Sequence, residues 1–150
     1  MSDREQIQKI YGEHTLRALD DFIQHSCDAA LAIKKRHPDN EWQDNFAAEA
    51  IMVHLGESAR RAGERFIDDH PELDFQGIIS MRNLVAHGYD IVDHEEIWHQ
   101  FNTVLPETAR HVKELLDPQK RVRRHLPGAV VAGGLTPKLS MNAKLGVDYP

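Results

Sequence analysis

The chain has 150 residues, enough for one domain with a real hydrophobic core. Its 18 Lys and Arg stand against 24 Asp and Glu, a net charge of −6, and its single cysteine, Cys27, excludes an intrachain disulfide. No apolar run approaches the roughly 18 residues that span a membrane, and the polar start Met1-Ser2-Asp3-Arg4-Glu5 leads into no apolar signal segment, so a soluble, cytoplasmic protein is expected.

Ser2 and Glu5 have capping-box spacing and open a first predicted helix. Ile7, Ile10, Leu16, Leu19, Phe22 and Ile23 then recur near the helical period, up to about Arg36. The run His37-Pro38-Asp39-Asn40 interrupts it, because a residue before proline disfavours the α region. Asp39 or Asn40 can cap a second helix from about Glu41 to Ile67, with Phe46, Ala50, Val53 and Ala59 on its apolar stripe. His70-Pro71 ends that helix. A third runs from about Asp74 to His87, with Phe75, Ile78, Ile79, Leu84 and Val85 as core candidates, and Gly88 stands where a left-handed cap is wanted. Asp93 with Glu96 repeats the capping-box spacing and opens a fourth helix through Ile97, Trp98, Phe101 and Val104. Pro106 kinks that helix or begins a fifth, to about Leu116. No strand-like alternation and no internal repeat occur, so the expected fold is an all-α antiparallel bundle of four to five helices over residues 1–116.

Residues 117–150 differ in character. They hold many prolines and glycines and lack a helical period, which reads as an irregular tail rather than a second domain. Residues 1–116 carry 12 Lys and Arg against 22 Asp and Glu, a balance of −10, while 117–150 carry 6 against 2, a balance of +4. An acidic body does not recruit nucleic acid over its general surface. Any RNA contact must come from a local site or from the basic cluster Lys120-Arg121-Val122-Arg123-Arg124. That cluster can equally rest on an acidic surface or remain solvated.

The segment Arg82-Asn83-Leu84-Val85-Ala86-His87-Gly88-Tyr89 carries the chemistry. Arginine grips a phosphate oxygen through a planar fork of N–H donors. Histidine titrates near working pH and can accept or donate a proton there. These two functions are the minimum for cleaving RNA without a metal. The plainer alternative is a helix end where Arg82 pairs with a carboxylate and His87 merely caps. Asn83 and His87, four apart, share a helix face, whereas Arg82 and His87, five apart, are roughly 140° apart around the axis. Both can serve one ligand if the helix ends so that His87 leaves the helical path, or if two chains meet.

Met81 to Tyr89, followed by Ile91, Glu96, Ile97 and Trp98, resembles the R-N-x-x-x-H-x-Y signature of HepT-like HEPN proteins. Ile51-Met52-Val53-His54-Leu55-Gly56-Glu57-Ser58-Ala59 resembles that family's second-helix segment ending in G-E-x-A. The spacing of the two blocks and the Leu105-Pro106 step also fit, and the resemblance covers roughly residues 4–116. It implies an all-α domain that dimerises, bringing two motifs into one cleft. It implies a metal-independent endoribonuclease without cofactor, the toxin of a type VII-like toxin–antitoxin pair. Its partner would be an MntA-type minimal nucleotidyltransferase that silences it by attaching AMP to Tyr89. Arg82, His87 and Asn83 are then the catalytic candidates, with Glu57 and Gly88 at the cleft. Within this reading His87 moves protons at the ribose 2′-OH or the 5′-oxygen, Arg82 holds the scissile phosphate, and products carry a 2′,3′-cyclic phosphate.

The competing class is a non-catalytic binding module whose Arg82 and His87 clamp a nucleotide or the nucleotidyltransferase partner. Other residues point less far. Among ten histidines no H-E-x-x-H and no Cys/His set appears, so no metal site is expected. Glu57 either tunes Arg82 or is an ordinary helix carboxylate. Trp42 and Trp98 read as core or dimer-interface anchors, and Cys27 as a small buried apolar residue. The stretch Arg60-Arg61-Ala62-Gly63-Glu64-Arg65 is either a solvated face or part of an RNA path.

Overall fold

The computed structural model describes residues 3–117, with the Tyr89 side chain outside that description. Within these residues seven α-helices follow one another: α1 (Asp3–Tyr11), α2 (Glu13–Lys35), α3 (Glu41–Arg61), α4 (Glu64–Asp69), α5 (Phe75–His87), α6 (His94–Asn102) and α7 (Val104–Leu116). Short 3₁₀ turns occupy Pro38–Asn40, Pro71–Leu73 and Tyr89–Ile91. No strand occurs among the described residues, so the all-α expectation holds. Among these residues no helix is long and apolar enough to cross a membrane. The Ser2 cap and the basic tail from 118 onward lie outside the described residues.

Two expected helices are each broken in two. Gly12 (φ 104°) separates α1 from α2, and Gly63 (φ 100°) separates α3 from α4. At such φ values a Cβ is strained, so glycine turns the chain where hydrophobic periodicity alone runs straight on. Thr15, buried just after the first break, donates from Oγ1 to the Ala62 carbonyl just before the second, at 2.6 Å. The two breaks therefore pack together.

The core is built on α2 and α3. Ala18, Leu19, Phe22 and Ala29 of α2 face Ala48, Met52, Leu55 and Ala59 of α3, and Phe66, Phe75, Ile97, Trp98, Phe101 and Val112 close around them. Each large side chain so buried contributes on the order of 1.5–3 kcal/mol. The stripe expected on α3 is thus rotated. Ala59 is buried, but Phe46 and Ala50 are exposed and Val53 is only half-buried. Ile10 also lies outside the core, at 49% exposure. Trp98 is the core anchor, its Nε1 donating to Asn45 Oδ1 at 2.8 Å, whereas Trp42 stands 74% exposed and stacks on Phe46 at 5.7 Å. Cys27 is half-buried rather than buried, and burial pushes its thiol up.

The later helices follow their caps. Asp93 Oδ1 accepts from the Glu95 and Glu96 amides at 3.0 and 3.4 Å and starts α6 as expected. Glu96 does not close the box, because its carboxylate takes Gln100 Nε2 instead. Pro106 falls in the first turn of a separate helix, α7, where its missing N–H costs nothing.

Candidate active site

The motif lies on α5, and α3 is the helix that α5 packs against most extensively. Gly56 makes that approach possible. A Cβ built there would stand 2.1 Å from Arg82 Cβ and 2.5 Å from its Cγ. The Arg82 stem therefore runs over bare backbone, and its guanidinium emerges beside the next residue of α3, Glu57. Arg82 Nη2 donates to Glu57 Oε1 at 3.3 Å, and Nη1 donates to Asn83 Oδ1 at 2.9 Å. The Arg82 side chain is 25% exposed. Its Nε is buried without a hydrogen-bond partner among the described residues.

Glu57 serves two cations. Arg60, one turn along α3, donates from Nη2 to Glu57 Oε2 at 2.5 Å and from Nε to Oε1 at 3.4 Å. The Arg60 hydrogen bond holds the Glu57 carboxyl below the usual glutamate range against the opposing effect of burial, with the charges of Arg60, Arg82 and Arg61 adding to it. Glu57 therefore contacts Arg82 and, at the same time, makes an i, i+3 pair within α3 with Arg60. Arg60 was visible in the sequence only as one cation of a basic stretch. The signal tying it to the motif is its i, i+3 spacing from Glu57. The other arginines of that stretch point elsewhere: Arg61 pairs with Asp21 at 3.3 Å, and Arg65 donates to the Ile10 carbonyl at 3.2 Å.

His87 is the last residue of α5 and is exposed. It does not leave the helical path, so of the two arrangements that would serve one ligand, the one within a single chain is absent. Among the described residues no hydrogen bond joins His87 to Arg82 or Asn83, and Asn83 spends its carbonyl oxygen on Arg82 rather than orienting the imidazole. Gly88 also departs from expectation. Its φ of −133° is not left-handed, and its amide donates to the Leu84 carbonyl at 2.7 Å. A Cβ at Gly88 would meet that carbonyl at 3.2 Å, so close packing is what glycine answers there. The chain then enters the turn Tyr89–Ile91, which places the Tyr89 backbone directly after the motif helix.

One chain thus presents an anchored guanidinium and an exposed imidazole on the same helix, separated around its axis. Among the described residues no cluster of three His, Cys, Asp or Glu side chains could hold a metal ion. His94 is drawn instead into a pair with Glu49 that ties α6 to α3. An all-α bundle carrying an arginine and a histidine on one helix against a Gly-Glu step on its neighbour is an HEPN-type domain. The chain matches the family described as Ribonuclease HepT-like over residues 2–115, and it belongs to that family. It is similar to a protein of Caldanaerobacter subterraneus subsp. tengcongensis named as a candidate RNase, with 29% identity over 66 residues. Those residues are 44% of this chain and 59% of that protein, so the match spans less than two thirds of the relative's length. No solved structure matches.

Proposed function

We propose that this protein is a metal-independent endoribonuclease whose site is completed in a homodimer. The observation that carries this reading is the division of labour on α5: a guanidinium fixed against α3 and an imidazole held exposed, with no hydrogen bond between them within one chain. A second copy can bring its His87 to the first copy's Arg82. Two His87 side chains then divide the acid and base roles. One removes the proton from a ribose 2′-OH, whose oxygen attacks the adjacent phosphorus. The other protonates the departing 5′-oxygen, leaving a 2′,3′-cyclic phosphate and a 5′-hydroxyl. Arg82 stabilises the charge that builds on the phosphate oxygens, where a preorganised cation acts most strongly. The exposed Trp42–Phe46 pair supports an interface on the same helix, α3, that anchors Arg82.

In this reading the protein is a cytoplasmic toxin held in check by an MntA-type nucleotidyltransferase. AMP transferred to Tyr89 adds bulk and negative charge two residues after His87, in competition with the RNA phosphate. The test is cleavage of labelled RNA in excess chelator by wild type, Arg82→Ala and His87→Ala, with analysis of the product ends. Cyclic phosphate ends from wild type alone are expected. A metal requirement, or full activity of His87→Ala, overturns the scheme.

The Arg82–Glu57 ion pair favours one second reading, a non-catalytic module that clamps a nucleotide or the nucleotidyltransferase itself. Expression toxicity separates the two. Loss of toxicity in both alanine variants supports the nuclease, and equal toxicity supports the module.

A further inference from the structure

We propose that Arg60 and Arg82 together form a clamp for one RNA phosphate, and that the Glu57 carboxylate fills this clamp while no RNA is bound. The inference rests on the ribonuclease reading of the site and adds a substrate-binding residue to it. Glu57 Oε2 lies 2.5 Å from Arg60 Nη2, and Oε1 lies 3.3 Å from Arg82 Nη2. Two guanidinium groups therefore converge on one pair of anionic oxygens. A phosphodiester offers the same pattern, a single negative charge shared by two oxygens that guanidinium N–H groups can grip.

Three observations favour an exchange of anions over a permanent structural pair. First, the cluster holds two cations and one carboxylate, so it keeps a surplus positive charge on a body whose overall balance is strongly acidic. Arg61, the neighbouring cation, is occupied by Asp21 from another helix. Second, the clamp is open to solvent. The Arg60 side chain is 59% exposed and that of Glu57 31%. Third, Glu57 satisfies Arg82 only in part, since Arg82 Nε stays unpartnered among the described residues. Because its carboxyl is held low, Glu57 leaves as a carboxylate by rotating aside rather than by taking up a proton. The clamp thus opens to a phosphate that is delivered with its neighbours along an RNA strand.

The test is binding of a single-stranded 2′-O-methyl RNA, which cannot form the attacking 2′-oxyanion, by fluorescence anisotropy over a series of salt concentrations. Each phosphate contact on a single strand adds about 0.7 to the steepness of log K against log salt. Arg60→Gln is expected to lower that steepness by about 0.7, and Arg60→Lys to retain it. Glu57→Gln, which removes the competing negative charge, is expected to bind several-fold more tightly than wild type at low salt. An unchanged salt slope in Arg60→Gln, or a Glu57→Gln that binds no more tightly, overturns the proposal. The fold is checked by helix content, which a change at the exposed Arg60 is expected to leave unaltered. Wild type that binds this RNA but cuts no natural RNA overturns the ribonuclease reading alone. Wild type that cuts RNA while Arg60→Gln keeps its slope overturns the clamp alone.

Discussion

Gly56 and Arg82 are in direct contact, the glycine's missing side chain being the space that the arginine stem occupies. A methyl group at position 56 would overlap Arg82 Cβ, an atom that cannot move without moving α5 itself. The residue that sets the position of the motif cation is therefore a glycine on another helix, one step before the carboxylate that holds the guanidinium.

Gly56→Ala follows directly. The added Cβ forces α3 and α5 apart, an overpacking that costs about 1–3 kcal/mol. Urea denaturation is expected to show that loss. RNA cleavage by the folded fraction is expected to fall well beyond what the stability change explains, because Arg82 is displaced. Unchanged cleavage by Gly56→Ala would break the link between this contact and the site.

Arg82→Lys separates charge from geometry. Lysine keeps the positive charge but lacks the planar fork that spans Glu57 and Asn83. Cleavage is expected to drop by roughly tenfold or more with helix content preserved, as a bidentate site does not accept a point charge in place of the fork. An Arg82→Lys variant as active as wild type would mean that a point charge suffices.

The Trp42–Phe46 stack bears on assembly. Trp42→Glu combined with Phe46→Glu places two like charges on an exposed apolar face without touching the core. Under the proposed homodimer, sedimentation or light scattering is expected to find wild type as a dimer and this variant as a monomer, with cleavage lost in parallel. Monomeric stability is expected to stay within about 0.5 kcal/mol, as for surface changes generally. A dimer that survives both substitutions uses another surface.

Stability is also expected to respond at both ends of the pH scale. Glu57 has its folded pKa lowered, chiefly by Arg60, so its contribution is fully present above the ordinary value of 4.5 and is lost as pH falls through the lower folded value. Tyr11 runs the other way. Burial, together with its 2.6 Å hydrogen bond to Asp69, pushes its phenol up to about 12. That contribution is fully present below the ordinary value of 10.0 and fades as pH rises through about 12. Tyr11→Phe is expected to cost about 0.5–1.5 kcal/mol near neutrality and to abolish the late phenol step in an ultraviolet titration. A tyrosine titration complete near the ordinary value of 10.0 in wild type would contradict the Tyr11–Asp69 bond.

Much of this protein was legible in its sequence because the relevant physics is local. Helical periodicity, the Asp93 cap, the His70-Pro71 break and the absence of strand alternation depend on neighbours within a few residues, and they led to the all-α bundle and to α5 as the helix bearing Arg82, Asn83 and His87. Periodicity missed the breaks at Gly12 and Gly63, where positive φ overrides an unbroken apolar pattern. It also placed Phe46 and Ala50 on the buried stripe of α3, although these two keep helical spacing with Trp42 on a second face that the core does not use; Ala59, from the same stripe, is buried. Which of two apolar faces is buried depends on where α2 and α5 lie, and no window along α3 contains that information.

The residue types of the site, a cation and an imidazole five positions apart, were likewise set by the sequence alone. Their working state was decided by tertiary structure. Only the packing of α5 on α3 puts the Arg82 stem on Gly56 and brings its guanidinium to the local Glu57–Arg60 pair, across residues far apart in the chain. Ion pairs of this kind act through space at a few ångströms, so they follow the docking of helices rather than the order of residues.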